Sequence, residues 1–381
     1  MNSILKICFG LLLQKPKMSA PSSSIAVSMS AKSKKKRIRV KHQKVKLFRA
    51  NEPILSVFMW GINHTIKELS HISIPVMLMP NDFKAYTKVK VDNHLYNKEN
   101  MPSHFKIKEY CPLVFRDLRE RFGIDDIDYR KSLTRFQPVV SDSPGRSGAK
   151  FYNSNDGLFV IKTMTREEVE LMHFLLKEYH PYIVERHGRT LLPQYLGMYR
   201  LTVDGIENYL FVTRNVFSKR LPLHNKYDLK GSTVERDASD KEKEKELPTL
   251  KDNDFLKDGT KIIIGSEAKE LLMETLTADV EFLMKLQIMD YSLLLGVHDC
   301  DQVVEDNIDV AASGDNENDE DSCDSNAPVE YTGKIVPELD IYAIPCKEDE
   351  NKKEVYFLAL VDILTHYGVK KQAAKAAKTV N

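Results

Sequence analysis

The chain has 381 residues, 42% of them hydrophobic, enough for one large two-lobed globular unit or two domains. Its 56 Lys and Arg nearly cancel its 55 Asp and Glu, so net charge says little about partners and the segregation of charge must carry that argument. Five scattered cysteines (Cys8, Cys111, Cys300, Cys323, Cys346) without CxxC spacing argue against a disulfide framework or a zinc site and suit a reducing compartment.

The first apolar run, ILKICFGLLL, carries an internal lysine, lacks a well-placed cleavage site and is too short to span a bilayer. Met18 opens a more ordinary start, so residues 1–17 read as an extension or the product of an upstream start codon. Ser, Ala and Pro crowd residues 19–33, and KSKKKRIRVKHQKVK (32–46) follows with nine Lys or Arg and no acid. The composition predicts a disordered basic tail over 1–40. Such a run suits a nuclear address, a nucleic-acid arm, an anionic-membrane patch or a solvated tail without a dedicated partner.

Residues 52–71 read as an amphipathic helix with Ile54, Val57, Phe58, Ile62 and Ile66 on one face, and strands are expected around VMLM (76–79) and AYTKVKV (85–91). EYCPLVFRDLRERFGI gives a further helix stopped by Gly123. Next come a turn holding Gly145 and Gly148, a strand LFVIKT bearing Lys162, and a helix opened by a Thr165–Glu168 capping box and ended by the His180–Pro181 pair. MYRLTV and YLFVTRNVF look like paired strands. A long helix over 266–287, with Leu272, Leu276, Val280 and Leu283 on one face, delivers the chain to Asp290. Residues 299–333 lack Lys and Arg and read as part of a disordered acidic insert spanning 301–334. EVYFLALVDIL (354–364) is a buried strand with Asp362 at its end.

A glycine turn followed by a strand lysine suits a nucleotide site, because glycines let backbone N–H groups approach phosphate and the lysine adds a point charge. Alone the pattern is weak: GRSG is not GxGxxG, and Lys162 would also sit well at a strand edge. Two acids sharpen it. Asp362 suits a Mg²⁺ carboxylate, and Asp290 suits an acid that orients or deprotonates an attacking hydroxyl. The order lysine, Asp290, Asp362 is that of a protein kinase, yet HRD and DFG are absent.

YDLKGSTVERDAS (227–239), MDYSLLLGVHD (289–299) and VDILTHYGVKK (361–371) resemble signature segments of the phosphatidylinositol phosphate kinases, and the likeness runs from about residue 42 to 381. It implies an α+β, two-lobed lipid-kinase fold distantly related to protein kinases, with antiparallel sheets and flanking helices. An N-lobe over 41–217 would include the dimerisation region, and a C-lobe would span 218–381. TRNVF (213–217), the stretch MPNDFKAYTKVKV and Ala374, where type I members carry a glutamate, resemble the type II subfamily. The implied activity is phosphatidylinositol 5-phosphate 4-kinase, with ATP, or GTP beside it, and Mg²⁺.

Carried over residue by residue, Asp290, Lys162 and Asp362 are catalytic and Asp362 is the Mg²⁺ ligand. Lys162, Thr213, Arg214, Asn215, Val216, Phe217, Lys226 and Asp362 take the nucleotide, with Thr213 and Asn215 able to bond a guanine edge. Lys230, Lys370, Lys371 and Ala374 take the lipid. The resemblance further implies a homodimer, with heterodimers among related kinases, peripheral on anionic membranes, cytoplasmic or nuclear, and with no nucleic-acid partner.

Relatives carry an acid where this chain has Leu171, leaving Glu167, Glu168 and Glu170 as candidates to pair with Lys162. They also continue for some tens of residues past the position of Asn381, which falls in the activation loop. A dimeric scaffold without catalysis, and a type I-like phosphatidylinositol 4-phosphate 5-kinase, are therefore the rival readings.

Overall fold

Pro53 sits in the first turn of the first described helix, where its missing N–H leaves no bond unmade. The computed structural model describes residues 50–92, 101–141, 148–302, 335–347 and 353–364. The basic run 32–46, Gly145, the acidic insert, Lys370, Lys371, Ala374, Lys375 and Lys378 lie outside the described residues.

Helix α1 (Pro53–Ser70) buries Val57, Phe58, Ile62 and Ile66 as the spacing predicts. It approaches Ile107 so closely that a Cβ on Gly61 would lie 2.8 Å from Ile107 Cδ1. The expected strand at 76–79 does not form. Pro75 and Pro80 bracket VMLM and remove the donors a ladder needs, and Val76, Met77 and Met79 stay exposed.

One sheet has the order β1-β2-β6-β7-β5-β4-β3. Its strands are β1 (Tyr86–Asp92), β2 (His104–Tyr110), β3 (Val139–Val140), β4 (Phe151–Asn153), β5 (Phe159–Met164), β6 (Tyr195–Val203) and β7 (Ile206–Arg214), all paired antiparallel. Helices α2 (Pro112–Arg121), α3 (Asp126–Thr134) and α4 (Arg166–Glu185) accompany it. The Thr165–Glu168 capping box is complete, with Thr165 Oγ1 accepting from Glu168 N and Glu168 Oε2 accepting from Thr165 N.

Helix α4 does not stop at His180–Pro181. It continues to Glu185 because residues beyond the proline are buried: Ile183 is fully enclosed, and the Tyr182 ring stacks on Phe282 at 4.3 Å. Each such burial is worth roughly 1.5–3 kcal/mol, enough to offset the hydrogen bond lost at Pro181.

The second sheet has the order β11-β12-β10-β8-β9, from β8 (Asn225–Leu229), β9 (Thr249–Leu250), β10 (Ser292–Asp299), β11 (Ala343–Pro345) and β12 (Glu354–Val361). Only β8 with β9 is parallel among the described pairs. Helices α5 (Asp240–Lys243), α6 (Asp252–Asp258) and α7 (Ser266–Lys285) belong to this lobe. The two lobes join through residues 215–224, whose Phe217 and Leu223 lie on β10 so tightly that a Cβ on Gly296 would sit 2.6 Å from the Phe217 ring.

Within the first lobe, Glu109 on β2 is 1% exposed, and among the described residues neither carboxylate oxygen has a hydrogen-bond partner of good geometry, although Tyr199 and Thr65 lie near. Burial pushes it up to about 7, against the opposing pull of Arg119. A native value above the unfolded one means the native state binds more protons between about pH 4.5 and 7, so this group's contribution falls as pH rises through that window. Glu109→Gln is therefore expected to raise urea stability by roughly 2–3 kcal/mol near pH 8 and by little near pH 5. A pH-independent difference would refute this.

Candidate active site

Antiparallel pairing decides where the acids go. Strands β10 and β12 pair from Ser292 opposite Val361 to Asp299 opposite Glu354, so β10 begins where β12 ends. Asp290 precedes that start by two residues, and Asp362 follows that end by one. Strand β8 pairs with β10 up to Leu229 opposite Leu293, which brings Lys230 to the same edge. Thus Lys230, Asp290 and Asp362 occupy one end of three adjacent strands.

Both acids sit in the left-handed region, Asp290 at φ 63° and Asp362 at φ 60°. For a residue with a Cβ this conformation costs roughly 1–2 kcal/mol, and such positions cluster at functional sites. Each acid thereby leaves its strand direction as the ladder ends. Asp362 is 58% exposed at its side chain.

Lys162 comes from the other lobe. Its cross-strand neighbours are Phe151 on β4 and Phe211 on β7, and its ammonium lies over those same rings at 5.2 and 5.9 Å. The aromatic flanks aim the amine across the cleft, where Nζ lies 3.5 Å from Asp362 Oδ1. Residues 200 positions apart in the chain thus meet at one point. Glu168, engaged in its capping box, is close enough to act electrostatically with Asp362 on Tyr195. Glu167 and Glu170 are exposed.

Thr213 pairs with Val160 and so shares a sheet face with Lys162, one step along the ladder. Arg214 turns elsewhere: Nε donates to Gln194 Oε1, and its terminal nitrogens donate to Glu338 O and Phe122 O. Asn215 Nδ2 donates to Gly157 O while its Oδ1 accepts from Phe217 N, so the carboxamide is bound within the protein. Phe217 meets Phe357 edge to face, and Val216 packs on the same small cluster of Leu221, Tyr342, Val355, Phe357 and Ala359. These residues form an apolar wall where the hinge crosses the second sheet. Lys226 lies mid-strand opposite Gly296, on the same face of β8 as Lys230; burial lowers its pKa.

Two anchoring groups escaped the sequence reading. Asp252, 1% exposed, accepts from the consecutive backbone N–H groups of Lys230 and Gly231 and from Arg236 Nε. Arg236 also holds Asp228, so the KGS turn is fixed from below. Asp279 on α7 is fully buried and accepts three hydrogen bonds. Its signal was in the sequence: it lies three residues after Leu276, on the apolar stripe of α7.

A cation and two carboxylates at a cleft fit a metal-bound nucleotide. Among the described residues no group of three metal-ligating side chains is preassembled. Mg²⁺ commonly binds through one or two carboxylates plus the nucleotide's own phosphates, a role that the exposed Asp362 carboxylate fits.

A family model described as phosphatidylinositol-4-phosphate 5-kinase matches residues 134–381. The chain is 60% identical over 352 residues to the mouse phosphatidylinositol 5-phosphate 4-kinase type-2 alpha, covering 89% of this chain and 87% of that one. Against the human type-2 beta protein the identity is 58% over 357 residues, covering 89% and 86%. The chicken type-2 alpha protein gives 59% over 353 residues, covering 89% and 87%. The chain belongs to the phosphatidylinositol phosphate kinase family, and the relatives it matches here are of the type 2 group.

The left-handed backbone separates chemistry from folding. Asparagine tolerates that conformation, so Asp290→Asn and Asp362→Asn are expected to melt within ~1 °C of the parent. Asp290→Val and Asp362→Val are expected to melt a few °C lower. Equal losses for Asn and Val in calorimetry would contradict the strained-turn assignment.

Proposed function

We propose that this chain transfers the γ-phosphate of ATP to the 4-hydroxyl of phosphatidylinositol 5-phosphate, giving phosphatidylinositol 4,5-bisphosphate. The observation that carries the reading is the Lys162–Asp362 contact across the cleft, with Asp290 at the same strand end. The printed names of the relatives supply the lipid.

Phosphoryl transfer asks mainly for positioning and neutralised charge. In the proposal Lys162 holds the nucleotide phosphates and Asp362 holds Mg²⁺, which when bound neutralises charge on the transferring group. Asp290 accepts the proton of the lipid hydroxyl, and Lys230 sits beside it for the headgroup phosphate. Thr213 faces the cleft on the Lys162 side. GTP use through Asn215 would require its carboxamide to give up the bonds to Gly157 and Phe217.

No helix among the described residues is long and apolar enough to cross a membrane. What favours peripheral binding is the first sheet. Lys88 lies opposite Lys108, Lys108 opposite Arg200, and Lys90 opposite Lys106. Asp92 and Glu207 offset Lys90 and Arg200 in part. The remaining like charges in register favour an anionic surface, and each Lys or Arg near such a leaflet is worth roughly 1 kcal/mol. Strand β1 is the sheet's edge and offers a backbone ladder to a second copy, in keeping with a homodimer. Lys370, Lys371 and Ala374, which lie outside the described residues, complete the proposed lipid contacts, at the cytoplasmic face of membranes.

The test is transfer of labelled phosphate to vesicles containing either the 5-phosphate or the 4-phosphate lipid. Signal on the 5-phosphate lipid, reduced at least ~100-fold in Asp290→Asn, is expected. Preference for the 4-phosphate lipid would instead make the chain a 5-kinase. An undiminished Asp290→Asn variant would remove Asp290 from the chemistry.

A further inference from the structure

The Lys162–Asp362 contact is long at 3.5 Å, and one partner is 58% exposed, so the contact cannot lock the two lobes by itself. What does lock them lies behind the cleft, in the linker between α4 and β6. Five consecutive residues there, Thr190 to Gln194, are tied to several separate parts of the molecule. Thr190 Oγ1 and Leu191 N donate to Asp279 of α7, at 2.7 and 2.6 Å. Leu191 O accepts from Leu360 N of β12 at 2.7 Å. Leu192 O accepts from Tyr342 OH, and Pro193 O from Tyr179 OH of α4. Gln194 takes the hinge, accepting from Arg214 N at its carbonyl and from Arg214 Nε at its side chain.

Asp279 is the only carboxylate bonded into this linker among the described residues, and it is fully buried. A buried carboxylate is costly unless its oxygens are satisfied, and here Tyr182 OH joins Thr190 and Leu191 as third donor. Leu191 is decisive. Its N–H meets the Asp279 carboxylate, and its C=O, in the next peptide unit, meets Leu360, two residues before Asp362. Leu191 is thus held on its two sides, by the Asp279 carboxylate through a charge-assisted bond and by Leu360 of β12, so displacing one contact displaces the other. Helix α7, which carries Asp279, ends five residues before Asp290. One buried carboxylate is therefore connected to the approach of both cleft acids and to the lobe that carries Lys162.

We propose that Asp279 is a positioning residue for phosphoryl transfer, holding the Thr190–Gln194 linker so that the strand bearing Asp362 stays in register with Lys162. The inference rests on the kinase reading above for its kinetic consequence, but not for its structural one. Asparagine can serve in its place: flipped, its oxygen accepts from Leu191 N while its amide donates to the two hydroxyls, which can accept. Alanine leaves three donors without a partner.

Asp279→Ala, Asp279→Asn and Thr190→Val are compared in full-length protein by kcat and KM per folded molecule, and by hydrogen–deuterium exchange. For Asp279→Ala, kcat is expected to fall ~10-fold or more with lipid KM within about twofold, since small misplacements act on the chemical step. Exchange should rise at Leu360–Ile363 while central β10 stays protected. Asp279→Asn should recover most of the rate, and Thr190→Val, which keeps the volume but deletes the bond to Asp279 and the one from Leu192 N, should fall between. Unchanged exchange at Leu360–Ile363 in both Asp279→Ala and Thr190→Val would overturn the proposal, as would Asp279→Asn behaving like alanine. If Asp279→Ala does not fold, Thr190→Val alone decides. Absence of transfer by the parent protein would refute the proposed function, while the exchange result would still judge the linker.

Discussion

The pairing of β10 with β12 is the constraint on which the cleft depends. Because the two strands run antiparallel and stop together at Ser292 and Val361, residues nearly 70 positions apart end at one edge. The ladder supplies no bonds beyond that pair, so the chain is free to turn, and both turns use a left-handed aspartate. The strands themselves are anchored by apolar burial: Leu293, Leu295, Leu358 and Leu360 are almost completely enclosed. A rigid hydrophobic ladder thus terminates in two polar, strained residues, which is how a fold can hold carboxylates at a solvent-facing edge without burying them.

The acids of this protein divide by environment. Asp252, Asp279 and Asp340 are buried and surrounded by donors, and each fixes a loop: the KGS turn, the inter-lobe linker, and the segment that receives Arg220. Asp362 is open to the cleft and meets a lysine from the opposite lobe. Buried carboxylates with full hydrogen bonding do structural work, since their freedom to accept a new ligand is already used. An exposed carboxylate beside a cation retains that freedom. The contrast separates the proposed chemistry from the framework that positions it.

Much of this was legible in the sequence. Helices α1, α4 and α7 announced themselves by periodic apolar stripes, and β12 by an unbroken apolar run. Lys162, Asp290 and Asp362 stood out because each interrupts or ends such a run. Other features were hidden for physical reasons. Proline suppressed a strand at VMLM although the residues are apolar, and burial carried α4 past a proline that would normally end it. Helix α3 is short and mostly polar, with only Tyr129 and Leu133 buried, so its pattern was too weak to read. Arg214 and Asn215 are expected to line the purine pocket, and the bonds their side chains make, to partners up to 124 residues away, had no local signal. Asp279 binds donors 88 to 97 residues distant, and no local pattern reports such a bond.

The central claim is that Lys162 reaches the phosphates of a nucleotide whose metal is held by Asp362. It is tested most directly with an ATP acyl-phosphate probe, which acylates lysines next to the bound triphosphate, followed by peptide mass spectrometry. The account predicts acylation at Lys162 that ATP suppresses and that weakens in Asp362→Asn. ATP-sensitive labelling confined to lysines outside the cleft, with Lys162 unmodified, would contradict it.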